Sequence, residues 1–170
     1  MKMEDVVFTH VGGLKTACIG RKQLVDLIIC RINDYHNNSS LQPLAIFDSN
    51  GQGISMANSD KSFKQLLDAA DIVHADGQSV VAFSRLFSEE PIPERTPTTD
   101  TIHDIPQLEN KSIKHFLLGG KQSVVEKCAS ILGSKYDNFT VAGTHHGYFD
   151  DTTENEIINA INSSNADVLW

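Results

Sequence analysis

The stretch AADIVHADGQSVV, residues 69–81, holds a short apolar block from Ile72 to Ala75, then Asp76-Gly77, then the first turn of a helical stripe. An apolar run of strand length that ends in Asp-Gly and passes directly into helical spacing reads as strand, turn and helix. The helix runs from Gly77 to Phe87, with Val80, Phe83, Ser84 and Phe87 on one side. In such a unit the residue just after the strand stands at the edge of the sheet where ligands bind.

The same alternation extends in both directions. Upstream, Phe63, Leu66, Leu67 and Ala70 recur at i, i+3, i+4 and i+7, which predicts an amphipathic helix with Ser59 or Asp60 as its N-cap. Before it, Leu44 to Phe47 reads as a short buried strand, followed by a glycine-rich link from Asp48 to Gly53 and then Ile54 to Ala57. Lys15 to Ile19 reads as a strand. A helix follows from Arg21 to Tyr35, on which Leu24, Ile28 and Ile32 repeat while Val25 and Ile29 widen the stripe. Downstream, Ser88 to Pro106 holds all but one of the prolines and reads as a long loop with at most a short helix. His115 to Leu118 is a strand, Gly119-Gly120 a turn, and Val124, Val125, Cys128, Ile131 and Leu132 mark the next helix. Phe139 to Ala142 is a further strand. A loop from Gly143 to Asp151 leads to a helix bearing Ile157, Ile158 and Ile161, with Thr153 and Glu156 as its capping box. Asp167 to Trp170 closes the chain as an apolar strand-like run. Strands alternating with helices indicate an α/β fold, a mainly parallel sheet with flanking helices of Rossmann-like type, in a single domain over residues 1–170.

Composition narrows the function. The chain has 170 residues, 40% hydrophobic and 21% charged, which is globular composition. Fourteen Lys and Arg against 22 Asp and Glu leave a net charge of −8, so a nucleic-acid partner is not expected. The three cysteines, Cys18, Cys30 and Cys128, form no C-x-x-C pair and read as structural thiols of a reducing compartment. The start, MKMEDVVFTH, lacks the apolar core of a signal peptide, and no stretch approaches the roughly 20 apolar residues that span a bilayer. A cytoplasmic protein is expected.

Four places lie beyond the carboxyl ends of the strands: Asn58 and its neighbours, Asp76-Gly77, Gly119 to Ser123, and Gly143 to Phe149. Asp76 there is either a general base toward a hydroxyl or the N-cap of the next helix. Gly119-Gly120-Lys121 is either a helix start that accepts a phosphate or a plain tight turn, and it matches neither G-x-x-x-x-G-K-[ST] nor G-x-G-x-x-G. Arg95 is either a clamp for a diphosphate or a loop-bracing residue. Tyr148 either stacks on a base or packs. His74 and Asp76 face the same way on one strand, but with no H-E-x-x-H or D-x-D pattern no metal is expected. Asp150-Asp151 reads as acidic helix-start chemistry.

In order along the chain stand Asn58 to Asp60, AADIVHADGQSVV, PERTPTTD from Pro93 to Asp100, FLLGG from Phe116 to Gly120, GYF from Gly147 to Phe149, and INSSNADVLW at the end. Together these motifs resemble the WecG/TagA/CpsF glycosyltransferase family, over nearly the whole chain. The resemblance implies an inverting transfer of a sugar, N-acetylmannosamine in many members, from a UDP donor to a polyprenyl-diphosphate-linked N-acetylglucosamine. It implies a setting in cell-surface polysaccharide or teichoic acid synthesis at the inner face of the cytoplasmic membrane. On that resemblance Asp76 is the base on the acceptor hydroxyl. Asn58, Gly77, Arg95 and Asp100 are substrate-binding residues, and Gly119, Gly120 and Tyr148 lie at the nucleotide. The UDP-sugar is a substrate, and neither a cofactor nor a metal is expected.

The chain also departs from the family pattern. Met56 stands where members carry Thr, Thr98 where they carry Gly, and Lys121-Gln122-Ser123 where they carry Pro-Gly. The V-G-L-G and P-K-Q-E segments and the tail that helps membrane docking are absent, so a chain truncated at its C-terminus is expected. A homo-oligomer through the edge at Val168–Trp170 is a further expectation. Two rivals stay open: a noncatalytic nucleotide-binding subunit, and a transferase of the same scaffold using another hexosyl donor.

Overall fold

The computed structural model describes residues 1–170. By its internal contacts the chain divides into two units, Met1–Leu108 and Glu109–Trp170.

The first unit opens with a hairpin that the sequence reading lacks. Strands β1 (Phe8–Val11) and β2 (Leu14–Ala17) pair antiparallel. Gly12 and Gly13 turn the chain between them at φ values of 59° and 82°. Two successive residues of positive φ form the turn whose twist matches a two-residue hairpin, and glycine takes it without strain. The expected strand Lys15–Ile19 is thus the second arm of this hairpin, shifted by one residue at its start.

Helix α1 (Arg21–Asn37) buries Leu24, Val25, Leu27, Ile28 and Ile32. Leu27 lies in the stripe where Ile29 was expected. Strands β3 (Ile46–Ser49) and β4 (Ile72–Ala75) pair in parallel with Ser49 opposite Ala75. Between them the expected glycine-rich link is largely helix α2 (Gly51–Ser59). Asn50 caps it by accepting the Gly53 N–H at 3.0 Å, which overrides the low helix propensity of two glycines in the first turn.

Asp60, not Ser59, caps α3 (Lys61–Asp68), its carboxylate accepting the N–H groups of Ser62 and Phe63. Helix α4 (Gln78–Phe87) buries Val80, Val81 and Ser84, whereas Phe83 and Phe87 are exposed. Val11, Ala75, Val80, Val81 and Ile92 form one core cluster, and Leu14, Ala57 and Leu67 form another.

The proline-rich stretch is more ordered than its composition suggests. Helix α5 (Thr98–Leu108) starts directly after Pro97 and carries Pro106 inside its last turn. A proline just before a helix leaves no needed donor missing, which is why Pro97 does not prevent it.

In the second unit β5 (Ile113–Leu118) lies between β6 (Phe139–His145) and β7 (Val168–Leu169), all parallel. Strand β6 runs three residues beyond the expected Phe139–Ala142. Its register against β5 shifts between His115 and Phe116, so that Phe116 faces Gly143. A Cβ at Gly143 would lie 2.6 Å from the Phe116 ring, so the ring occupies the space a side chain would take. Helices α6 (Gln122–Lys135) and α7 (Glu154–Ser163) complete the unit. The expected capping box is not formed at α7: Thr153 makes no side-chain cap, and Asp150 accepts the Thr152 N–H and hydroxyl instead. The fold is therefore α/β, with parallel strand pairing and flanking helices in both units.

Candidate active site

Backbone bonds fix Asp76 before its side chain matters. After β4 the ladder continues for one more step, with the N–H groups of Asp76 and Gly77 donating to the Ser49 carbonyl at 2.9 and 3.3 Å. Gly77 then caps α4 in an extended conformation. A Cβ on Gly77 would lie 3.2 Å from the Asn50 Cα, so the two backbones meet closely there. Asp76 makes no helix-cap hydrogen bond. Its Oδ1 lies 3.5 Å from Nε of Arg95, with the carboxylate 30% and the guanidinium 48% exposed. A carboxylate and a cation thus stand together, partly open to solvent, at the carboxyl end of a parallel strand.

Arg95 is held by the residues on either side of it. Thr96 donates its N–H to the Ala75 carbonyl at 2.7 Å, and its hydroxyl to the same oxygen at 3.2 Å. With that hydroxyl proton committed, the His74 Nδ1–H donates to the Thr96 oxygen at 3.1 Å. His74 is buried, and burial lowers its pKa against the opposing pull of the Asp48 charge. The imidazole is therefore a neutral brace behind Asp76. Thr98 donates to Asp48 Oδ2 at 2.8 Å and so fastens the segment. Glu94 Oε1 accepts the Arg21 N–H at 2.8 Å.

The remaining expected residues divide. Asp100 lies 3.4 Å from the Arg21 guanidinium, which also grips Asp104. Asn58 donates both amide hydrogens, to the Gly12 and Ile54 carbonyls at 2.8 Å each, and so ties α2 to the β1–β2 turn. Met56 is exposed on the same helix.

In the second unit Gly119 and Gly120 take φ values of 149° and 64°. Gly119 donates to the His145 carbonyl at 3.0 Å, and Gly147 donates to the Gly120 carbonyl at 3.0 Å. A Cβ at Gly147 would lie 3.1 Å from the Gly119 Cα. The double glycine and the Gly147 loop are therefore packed backbone to backbone at the end of β5 and β6. Tyr148, next in that loop, is 70% exposed with its ring free of aromatic neighbours.

Arg21, Asp104, Thr96 and the bracing role of His74 are absent from the sequence reading. A signal for the first two was present: Asp100 and Asp104 stand four apart, on one face of a helix, where a single guanidinium meets both. No three His, Cys, Asp or Glu side chains converge as a metal-holding group, and no helix is long and apolar enough to cross a membrane.

Comparison with known proteins matches residues 9–170 to the Glycosyl transferase WecG/TagA/CpsF family. The chain belongs to that family. Among curated relatives, the N-acetylglucosaminyldiphosphoundecaprenol N-acetyl-beta-D-mannosaminyltransferase of Staphylococcus aureus strain NCTC 8325 / PS 47 is 29% identical over 120 residues, which is 70% of this chain and 46% of the relative. The same-named proteins of strains COL and MRSA252 are 29% and 28% identical over the same shares. This chain of the WecG/TagA/CpsF family thus spans about half the length of the curated relatives it matches.

Proposed function

We propose that this chain is the nucleotide-sugar core of an inverting glycosyltransferase that moves N-acetylmannosamine from a UDP donor to N-acetylglucosamine carried on a polyprenyl diphosphate. The observation that carries the reading is the Asp76–Arg95 pair at the end of β4, in a chain of this family. An inverting displacement needs a base on the acceptor hydroxyl and a stabilised leaving diphosphate. Asp76 takes the hydroxyl proton as the acceptor oxygen bonds to the anomeric carbon. The bond from that carbon to the diphosphate breaks on the opposite face, and its electron pair departs with UDP.

Arg95 supplies the positive charge for the diphosphate. Its contact to Asp76 is longer than a hydrogen bond, so exchange of the carboxylate for phosphate oxygens sacrifices little, and it leaves the carboxylate free as a base. Gly119, Gly120 and Tyr148 are assigned to the nucleotide, Tyr148 by stacking its exposed ring. Gly77 serves by letting the Asn50 backbone approach next to Asp76. Asn58 and Asp100 are assigned to substrate binding on the family resemblance, Asp100 through the segment that carries Arg95. The step draws on no resident cofactor. An acceptor with a polyprenyl anchor puts the reaction at the inner face of the cytoplasmic membrane, in synthesis of a surface polysaccharide or teichoic acid.

Calorimetric titration with UDP, using ADP as the control, tests the reading. Selective UDP binding is expected. Equal affinity for ADP, or no binding of either, overturns it.

A further inference from the structure

We infer that Arg21 is a positioning residue of this site, acting through the segment that carries Arg95. The inference rests on the reading of Arg95 as the cation for the donor diphosphate. Arg21 opens α1 and binds that segment at both of its ends. Its backbone N–H donates to Glu94 Oε1 at 2.8 Å, immediately before Arg95. Its side chain donates from Nε to Asp104 Oδ2 at 2.8 Å and from Nη2 to Asp104 Oδ1 at 2.5 Å, while Nη1 lies 3.4 Å from Asp100 Oδ2. Asp104 is 5% exposed, so its carboxylate depends on that fork for a counter-charge. The fit is close: a Cβ on Gly20 would lie 2.5 Å from Glu94 Oε1.

Two consequences follow for Arg95. The first is mechanical. The segment is pinned at Ile92, whose N–H donates to Ser84 Oγ at 3.0 Å, at Thr96 on Ala75, and at Asp100 and Asp104 on Arg21. Arg95 stands between the fixed residues Glu94 and Thr96, and its reach toward Asp76 is set by them. The second is electrostatic. Glu94, Asp100 and Asp104 are the acidic side chains carried by the same segment as Arg95. The Arg21 guanidinium pairs with Asp100 and Asp104 and its backbone N–H binds Glu94, while Arg95 has Asp76 as its carboxylate partner. Without the Arg21 side chain, Asp100 and Asp104 become unpaired anions within the segment, and Arg95 is drawn from the site toward them.

The test compares the wild-type chain with Arg21→Met, Arg21→Lys, Arg95→Met and the Arg21→Met/Arg95→Met pair. Two quantities are read: the Kd for UDP, and amide hydrogen exchange across residues 92–104. Arg21→Met is expected to speed exchange in that segment at least about tenfold while the β5 and β6 amides stay unchanged. Arg21→Lys, with one charge and no fork, falls between. Each single Met variant is expected to weaken UDP about tenfold, the size of one lost charge-assisted contact. The double variant is expected to match Arg95→Met alone, because Arg21 acts only through Arg95. Losses that multiply in the double variant overturn the inference, and so does unchanged exchange in Arg21→Met. A wild-type chain that binds no UDP overturns the nucleotide reading instead, and the exchange measurement then decides alone whether Arg21 holds the segment.

Discussion

Nε of Arg95 lies 3.5 Å from Oδ1 of Asp76, although the two residues reach that point by different routes. Asp76 is carried there by the parallel β3–β4 ladder, and Arg95 by an irregular segment bonded back onto β4 through Thr96. A pair this exposed contributes at most about 1 kcal/mol to stability. In the proposed function its value is chemical: Asp76 is assigned as the base and Arg95 as the cation for the diphosphate.

Replacing that cation should therefore separate binding from folding. Arg95→Met is expected to shift stability by less than about 1 kcal/mol, measured by urea unfolding, while UDP affinity falls about tenfold. Loss of stability without loss of affinity would make Arg95 a brace for the loop.

The Gly147 loop is expected to tolerate no side chain. Gly147→Ala puts a Cβ 3.1 Å from the Gly119 backbone and should cost about 1–3 kcal/mol in urea unfolding. Gly133, inside α6 with its nearest neighbour at 3.6 Å, is the control. Gly133→Ala is expected to raise stability by about 0.5–1 kcal/mol, through helix propensity.

Stability is expected to fall with acid through His115. Its ring is fully buried, stacks on Phe139 at 3.9 Å, and accepts the Trp170 indole N–H at Nδ1 over 3.0 Å. Burial lowers its pKa from 6.5 to about 4. The unfolded chain thus takes up a proton near pH 6.5 and the folded chain only near pH 4. Between those values the unfolded state holds more protons, so stability drops by about 1.4 kcal/mol per pH unit as pH falls, and it is fully retained above pH 6.5. Urea unfolding of wild type and His115→Phe between pH 7.5 and pH 4 checks this. Wild type should lose stability relative to His115→Phe steadily as pH falls from about 6.5 toward 4, and the difference between them should be flat above neutrality.

Much of this arrangement was legible in the sequence, and the reason differs by residue. Ile72–Ala75 reads as a strand with its observed bounds because it is a short, mostly apolar run closed by Asp-Gly, as a fully buried parallel strand is, with His74 its one polar residue. Phe63, Leu67 and Asp60 mark α3 because helical spacing and a side-chain cap are both local. Helix α2 escaped notice because its first turn is Gly-Gln-Gly, and only the Asn50 cap and the burial of Ala57 favour it. Helix α5 escaped because Pro93, Pro97 and Pro106 suggest a loop, while what orders it is the distant Arg21. At the site, Asp76 and Arg95 were each ambiguous between a chemical and a structural role. Their proximity is a tertiary fact that spacing along the chain does not encode.

The decisive measurement is transfer of N-acetylmannosamine from its UDP conjugate to N-acetylglucosaminyldiphosphoundecaprenol by wild type and Asp76→Asn, with UDP affinity taken on the same preparations. Asp76→Asn is expected to lose transfer by about 10²–10⁴-fold, the range for removing a general base, and to bind UDP within about threefold of wild type. An Asp76→Asn chain that transfers as fast as wild type would contradict the assignment of Asp76 as the base.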